Sequence, residues 1–201
     1  VRLGWSHGDQ EIFSLDEMVE RFDLDGCNKA ASAINPSKLI WLNKHYLKTL
    51  EPAHVARHLS WHIGQLGIDP SEGPALPEVV KAFAERSDTL QGMAQAASFL
   101  YHEFETYDAK AASKHLTTVA QAPLRALSDA LTVLREWQAE AIHAAVSRVA
   151  EEGGWALGKV AQPLRVAVCG TAVSPPIDRT LELVGRQKTL ARLERALAYI
   201  G

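Results

Sequence analysis

Apolar residues recur every three or four positions along most of the chain, which is the spacing that places them on one face of an α-helix. No segment alternates between apolar and polar residues for long, as a half-buried strand would. Residue types that begin helices precede the first runs of this pattern. These starts are Ser14 before Leu15–Phe22, Asn35-Pro36 before a helix through Leu47, and Glu51-Pro52 before a helix through Leu66. The pattern predicts an all-α fold.

The clearest interruption of this pattern is Asp69–Pro77, which holds three prolines and one glycine. Further helices are predicted over Val79–Glu85, from an N-cap at Asp88 through Leu100, over Leu124–Val149 as one helix or two, from Ser174-Pro175 to Gly185, and on to Ile200. The segment Lys159–Val168 fits either a short helix or a strand, because propensity does not separate the two.

Composition describes an ordinary globular chain of 201 residues with 47% hydrophobic residues. No apolar run approaches the roughly 20 residues that cross a bilayer, and no signal peptide opens the chain. The two cysteines, Cys27 and Cys169, lie far apart, which leaves neither a disulfide framework nor a cysteine zinc site. We therefore expect a cytoplasmic protein without a membrane partner.

Charge is distributed unevenly along the chain. The net charge of −3 argues against a nucleic-acid partner only if it is spread uniformly. Residues 26–68 carry five basic and one acidic side chain, and residues 159–201 carry seven and three, whereas the other two parts are acidic. Two basic segments can form a positive surface for a polyanion, although solvated helix faces produce the same pattern.

Three histidines, His54, His58 and His62, recur every four residues and would project from one helix face. With this spacing the three histidines could bind zinc in a small metalloenzyme. Because only Glu51 is close by and no cysteine completes the set, a basic, partly buried helix face is the simpler interpretation, and we predict no metal site.

The segment from Gly153 to Lys159 has the glycine and lysine spacing of a phosphate-binding P-loop. Val160 stands where such a loop needs a hydroxyl, and the segment follows a helical pattern rather than a strand. We therefore interpret its glycines as the end of a helix.

Four segments in order resemble one family of enzymes. They are Leu3–Ser14 (LGWSHGDQEIFS), Trp41–Leu47 (WLNKHYL), Gly158–Arg165 (GKVAQPLR), and the tail from Ser174-Pro175 through LVGR at Leu183–Arg186 to RLERAL at Arg192–Leu197. The first resembles the segment that follows the catalytic domain in bacterial glutamyl-tRNA synthetases, and the others are similar to later segments of the same enzymes. The likeness extends from end to end.

The resemblance implies that this chain corresponds to the C-terminal half of such a synthetase. Residues 1–50 would be the end of the stem-contact domain, and residues 51–105 and 106–201 two parts of an α-helical anticodon-binding body, or helix cage. The family's Rossmann-type catalytic domain, with its H-I-G-H-like and K-[ML]-S-K-like motifs, would lie outside this chain. ATP and Mg²⁺ would bind there, so we expect no cofactor in this part. We expect a monomer that binds the anticodon stem-loop of glutamate tRNA but is catalytically inactive alone.

The resemblance also assigns base-reading roles. Arg86 would read the third anticodon base, a cytosine that separates glutamate from glutamine codons, and Arg165 would read the first. Because Arg86 stands just before the predicted helix start at Asp88, we expect the loop to present its side chain outward. An ion pair of Arg86 with Glu85 or Asp88 is the alternative for that residue. Other possible tRNA contacts are Lys29, Lys38, Lys44, Lys48, Arg57, Ser174 and Ile177. Pro176 stands where relatives commonly have glycine, so the loop of Ser174 and Ile177 should differ in shape.

A helical protein-interaction scaffold without RNA binding is the alternative function. In that case Trp61, Trp137 and the acidic helices would contact a protein partner. Core packing is the simpler expectation for both tryptophans.

Overall fold

A computed structural model describes residues 4–29 and 33–201 of the chain. Within these residues the structure is helical, apart from an isolated bridge between His7 and Gln10. The α-helices are α1 Leu15–Arg21, α2 Pro36–Thr49, α3 Pro52–Gln65, α4 Leu76–Phe83, α5 Leu90–Ala97, α6 Ala109–His115, α7 Gln121–Thr132, α8 Ala139–Glu152, α9 Leu157–Cys169, α10 Ile177–Val184 and α11 Arg186–Ile200. Short 3₁₀ turns are Pro70–Glu72, Ala84–Arg86, Ser98–Leu100 and Thr118–Ala120. The predicted all-α fold is confirmed.

The chain divides into two compact units, one up to Leu42 and one from Asn43 onward. The boundaries near residues 50 and 105 stay predictions.

The first unit is organised around Trp5, whose ring is buried. Phe13 and Phe22 approach it with ring centroids 5.9 and 5.7 Å away. Helix α1 begins with the predicted capping box, in which the Glu17 amide donates to Ser14 Oγ at 3.1 Å and the Ser14 amide donates to Glu17 Oε2 at 2.8 Å. The local sequence therefore determines where α1 starts.

In the second unit, helix α9 is central. It contacts α6, α7, α8, α10 and α11, while α3 packs on α4 and α5. Its buried side chains include Val160, Leu164 and Val168, and their spacing of four residues matches one helix face. This burial settles the open alternative for 159–168 in favour of a helix, even though Pro163 lies inside it. The contacts of α9 with five other helices fix the position of its backbone.

The stretch 124–149, predicted as one helix or two, forms two, separated at residues 133–138. Two predicted N-caps were wrong. Thr89 rather than Asp88 begins α5, because Thr89 Oγ1 accepts the Gly92 amide at 3.0 Å. Ser174 does not cap α10, since that helix begins at Ile177 after Pro176. Pro176 has φ −46°, which proline adopts readily.

Gly170 ends α9 in the left-handed region, with φ +77°. A Cβ there would lie 3.0 Å from Phe104 Cδ2. We expect Gly170→Ala to lower the free energy of unfolding by about 1–2 kcal/mol, since alanine pays both the backbone and the steric cost. Gly64, exposed within α3 and with nothing near its added Cβ, is the matched control: Gly64→Ala should raise stability by about 0.5–1 kcal/mol. Chemical denaturation measures both, and a loss no larger in Gly170→Ala than in the control would contradict the strain.

Candidate nucleic-acid interface

Arg86 is the last residue of the 3₁₀ turn that follows α4, and its side chain is exposed. The chain on its far side is anchored, because the buried Ser87 hydroxyl donates to the Phe83 carbonyl at 2.9 Å and Thr89 begins α5. A short segment fixed in this way holds Arg86 outward, as the sequence predicted.

The carboxylates beside Arg86 are occupied by lysines of α2. Lys48 pairs with Glu85, and Lys44 Nζ lies 2.8 Å from Asp88 Oδ1. Among the described residues no ion pair includes Arg86, so its expected alternative, a pair with Glu85 or Asp88, is not formed. Exposed ion pairs of this kind stabilise a protein by about 0–1 kcal/mol each, so Lys44 and Lys48 could leave their carboxylates at little cost to contact a phosphate.

Arg165 projects from the central helix α9 and is half-buried. Its Nε donates to Ser174 Oγ at 2.9 Å. Ser174 in turn donates to the Pro175 carbonyl at 2.9 Å, and the Thr180 hydroxyl lies 3.2 Å from Ser174 Oγ. No other hydrogen bond of Arg165 is found in the described part of the chain, so its two Nη groups are available as a fixed pair of donors.

The two other predicted RNA contacts near Arg165 are partly covered by the protein. Ser174 is only 6% exposed and its hydroxyl accepts the hydrogen bond from Arg165 Nε. Ile177 is half-buried against the core at the start of α10. The roles of both residues toward RNA stay predictions. Sequence reasoning missed Thr180, since no local motif links it to Ser174.

The two arginines, distant in sequence, lie close enough to interact electrostatically. Burial lowers the pKa of the Arg165 guanidinium, and the positive charge of Arg86 lowers that pKa further. Cys169 and Asp178 act in the opposite direction and raise it. Asp178 is itself engaged, with Oδ2 3.2 Å from His143 Nδ1. Two like charges held near each other favour an anionic ligand.

The remaining predicted tRNA contacts differ in their exposure and in their partners within the protein. Lys29 and Arg57 are exposed, and Arg57 Nη2 lies 3.1 Å from His54 Nδ1. Lys38 pairs with Glu11 and sits 3.9 Å above the Trp41 ring. The roles of these residues toward RNA stay predictions.

The histidine row and the glycine-lysine segment lie in helices and at a helix end. The rings of His54 and His58 lie 5.1 Å apart, and no described residues include three or more His, Cys, Asp or Glu placed to hold a metal ion. Gly153 ends α8, Gly154 follows with φ +66°, and Lys159 lies inside α9, so the segment is a helix end, as interpreted. It does not have the strand-loop-helix form of a P-loop.

The two tryptophans have different environments. Trp137 packs against the core and its Nε1 donates to the Leu181 carbonyl at 2.9 Å, which confirms core packing. For Trp61 that expectation was wrong, because its side chain is 63% exposed on α3. No helix in the described ranges is long and apolar enough to cross a bilayer.

A helical body that holds two arginines within electrostatic range of each other defines a helical domain suited to a polyanion. A family model described as an anticodon binding domain matches residues 46–197. The chain belongs to this anticodon-binding domain family.

Known proteins similar to the chain agree with this assignment. Glutamate–tRNA ligase 1 of Nitrosococcus oceani is 54% identical over 200 residues, which cover 100% of this chain and 43% of that protein. The chain thus spans less than half of that relative. A glutamate tRNA ligase from Elizabethkingia meningosepticum, solved with its amino acid, matches 99% of this chain and 39% of its own with a TM-score of 0.88 and 26% identity. Glutamate-tRNA synthetase from Elizabethkingia anophelis matches 98% and 38% with a TM-score of 0.83 and 27% identity.

Proposed function

We propose that this chain is the tRNA-recognition part of a glutamate–tRNA ligase and that it binds the anticodon stem-loop of glutamate tRNA. The observation that carries the proposal is the exposed Arg86 beside the anchored Arg165, on a chain of the anticodon-binding family. Lys29, Lys38, Lys44, Lys48 and Arg57 would contact phosphate and ribose, which fixes the position of the RNA without reading its sequence.

The geometry of each arginine suits a base in an unstacked loop. A planar guanidinium can make two parallel hydrogen bonds to a base edge, which a lysine cannot. Arg165 is held through Nε by Ser174 and keeps its two Nη donors for such a contact. Arg86 has no carboxylate partner in the described residues and would read the third anticodon base, with Arg165 at the first.

Attachment of glutamate to tRNA with ATP and Mg²⁺ is a proposed activity of the whole protein. By the resemblance to glutamyl-tRNA synthetases, that chemistry would belong to a catalytic domain outside this chain. We expect this chain, as a monomer, to bind RNA without activating glutamate.

Titration with purified glutamate tRNA at several salt concentrations tests the proposal. Phosphate contacts predict that the logarithm of the binding constant falls linearly with the logarithm of the salt concentration. The exposed Trp61 favours a second candidate, a protein-interaction scaffold. Absence of salt-dependent binding would leave the scaffold standing and would contradict RNA recognition.

A further inference from the structure

A cavity of about 640 Å³ lies between the end of α6 and the start of α9, outside the surface described above. Its lining includes Lys114, His115, Trp155 and Lys159, together with Pro123 and Pro163. We propose that this α6–α9 cavity binds a nucleotide, with the phosphate between the two lysines and the base against Trp155.

The cations in the α6–α9 cavity have no partners of opposite charge. No carboxylate is among the described residues that line it, and neither Lys114 nor Lys159 forms an ion pair or a side-chain hydrogen bond within residues 4–29 and 33–201. Elsewhere in the chain Lys38, Lys44, Lys48 and Lys81 each pair with a carboxylate, whereas Lys110, which also forms no ion pair among the described residues, lies outside the cavity. Two unpaired lysines converging on one concavity therefore form a site for an anion.

The position of Lys159 is unfavourable without a ligand. It lies in the first turn of α9, where the helix dipole disfavours positive charge. Burial lowers the pKa of His115, and the charges of Lys114 and Lys159 lower that pKa further, which indicates that both lysines lie near this ring. A bound phosphate would offset the unfavourable position of Lys159, and departures from local rules of this kind concentrate at functional sites.

The aromatic wall of the cavity is fixed in place. The Trp155 ring packs directly on Gly153, where a Cβ would lie 2.2 Å from ring carbons, and the Trp155 amide donates to the Ala150 carbonyl at 2.9 Å. Pro123 and Pro163 are conformationally restricted and add rigid apolar surface. Stacking of a base on an aromatic side chain contributes about 1–3 kcal/mol. The cavity therefore offers Trp155 to the base of a nucleotide and the two lysines to its phosphate.

The nucleotide can come from bound RNA or be free in solution. Lys159 and Arg165 share α9, and six residues of helix advance about 9 Å along its axis, which one RNA loop can span. The RNA source rests on the proposed function; the free nucleotide does not. The two sources are separate arms of one experiment.

The experiment follows the indole N–H signal of Trp155 by NMR, assigned with Trp155→Phe, during titration with UMP, uridine, inorganic phosphate or an anticodon stem-loop. We expect UMP or the stem-loop to shift this signal more than uridine or phosphate does. The variant Lys114→Gln/Lys159→Gln should abolish the shift. If RNA is the source, the variant should also lower the salt slope of stem-loop binding by about 1 for each lysine and weaken binding roughly tenfold.

The matched control is Lys110→Gln/Arg125→Gln, which removes two exposed charges outside the α6–α9 cavity from α6 and α7. It should keep the shift and bind the stem-loop within about twofold of the parent. A Trp155 signal that neither UMP nor the stem-loop moves, or that phosphate moves as much as UMP, would overturn the nucleotide site. Stem-loop binding without that shift would contradict the nucleotide site and leave the proposed function intact. A shift with UMP but no binding of the stem-loop would contradict the proposed function and leave the nucleotide site intact.

Discussion

Replacing Arg192 with Met is expected to lower the free energy of unfolding by about 3 kcal/mol. The guanidinium is 1% exposed and donates to three main-chain carbonyls, from Nη1 to Val168 at 2.8 Å and from Nη2 to Phe99 at 2.8 Å and His102 at 3.2 Å. These carbonyls lie at or near the ends of α9 and of the 3₁₀ turn after α5, where intrahelical donors run out. Met fills much of the volume but leaves the carbonyls buried without their donors. Urea denaturation measures the loss.

The control for Arg192 is Arg125→Met on the exposed face of α7, which should change stability by no more than about 0.5 kcal/mol. A loss in Arg192→Met no larger than this would contradict the role of the buried hydrogen bonds.

Acid titration adds a second readout for Arg192. Partial burial opposes ionisation of Glu103, but Arg192, Arg195 and Lys188 together hold its pKa below the ordinary value. A lowered folded-state pKa gives stability that is present above the unfolded pKa and is lost as pH falls through the folded pKa. This acid-dependent part should shrink in Arg192→Met, and an unchanged acid dependence would mean that Arg192 does not act on Glu103.

Replacing Arg86 with Gln is expected to remove about 1–3 kcal/mol of discrimination between two anticodon stem-loops, one with C and one with G as the third anticodon base. Glutamine keeps a polar side chain but loses the positive charge and the planar fork that pairs with a base edge. Because Arg86 is exposed and forms no ion pair among the described residues, the substitution should not disturb the fold. Fluorescence anisotropy with both hairpins at one salt concentration measures the ratio of affinities.

The control for Arg86 is Lys81→Gln, which removes an exposed charge from α4 that pairs, among the described residues, with Glu78 three positions earlier. It should leave the ratio of affinities unchanged. If Arg86→Gln weakens both hairpins equally, Arg86 is a phosphate contact rather than a base reader.

Local signals in the sequence were sufficient for the first three helix starts. Ser14, Asn35 and Glu51 each accept backbone amides with their own side chains, which is a contact over two or three residues that the sequence displays. Asp88 shows the limit of such signals, because Asp88 and Thr89 are both good caps and the choice depends on Lys44, which draws the Asp88 carboxylate away. A contact between residues 44 positions apart leaves no local pattern.

The candidate site likewise has features that the local sequence predicts and features that depend on tertiary packing. Arg86 was predicted as an outward side chain from its place before a helix start, and it is one. The seat of Arg165 could not be predicted, because Ser174 bonds to it only after α9 and α10 pack together. Arg192 was missed because a buried arginine in an amphipathic helix has the same sequence pattern as an exposed one. Trp61 was misplaced for the opposite reason, since large aromatic residues are usually buried.

The most direct test of the account is the affinity of the unmodified chain for two anticodon hairpins of glutamate tRNA that differ only in the third base, C or G, at one fixed salt concentration. The account predicts salt-dependent binding of both and a preference for C of about tenfold or more, which corresponds to about 1.4 kcal/mol. Equal affinity for the two hairpins, or no binding of either, would contradict anticodon recognition by this chain.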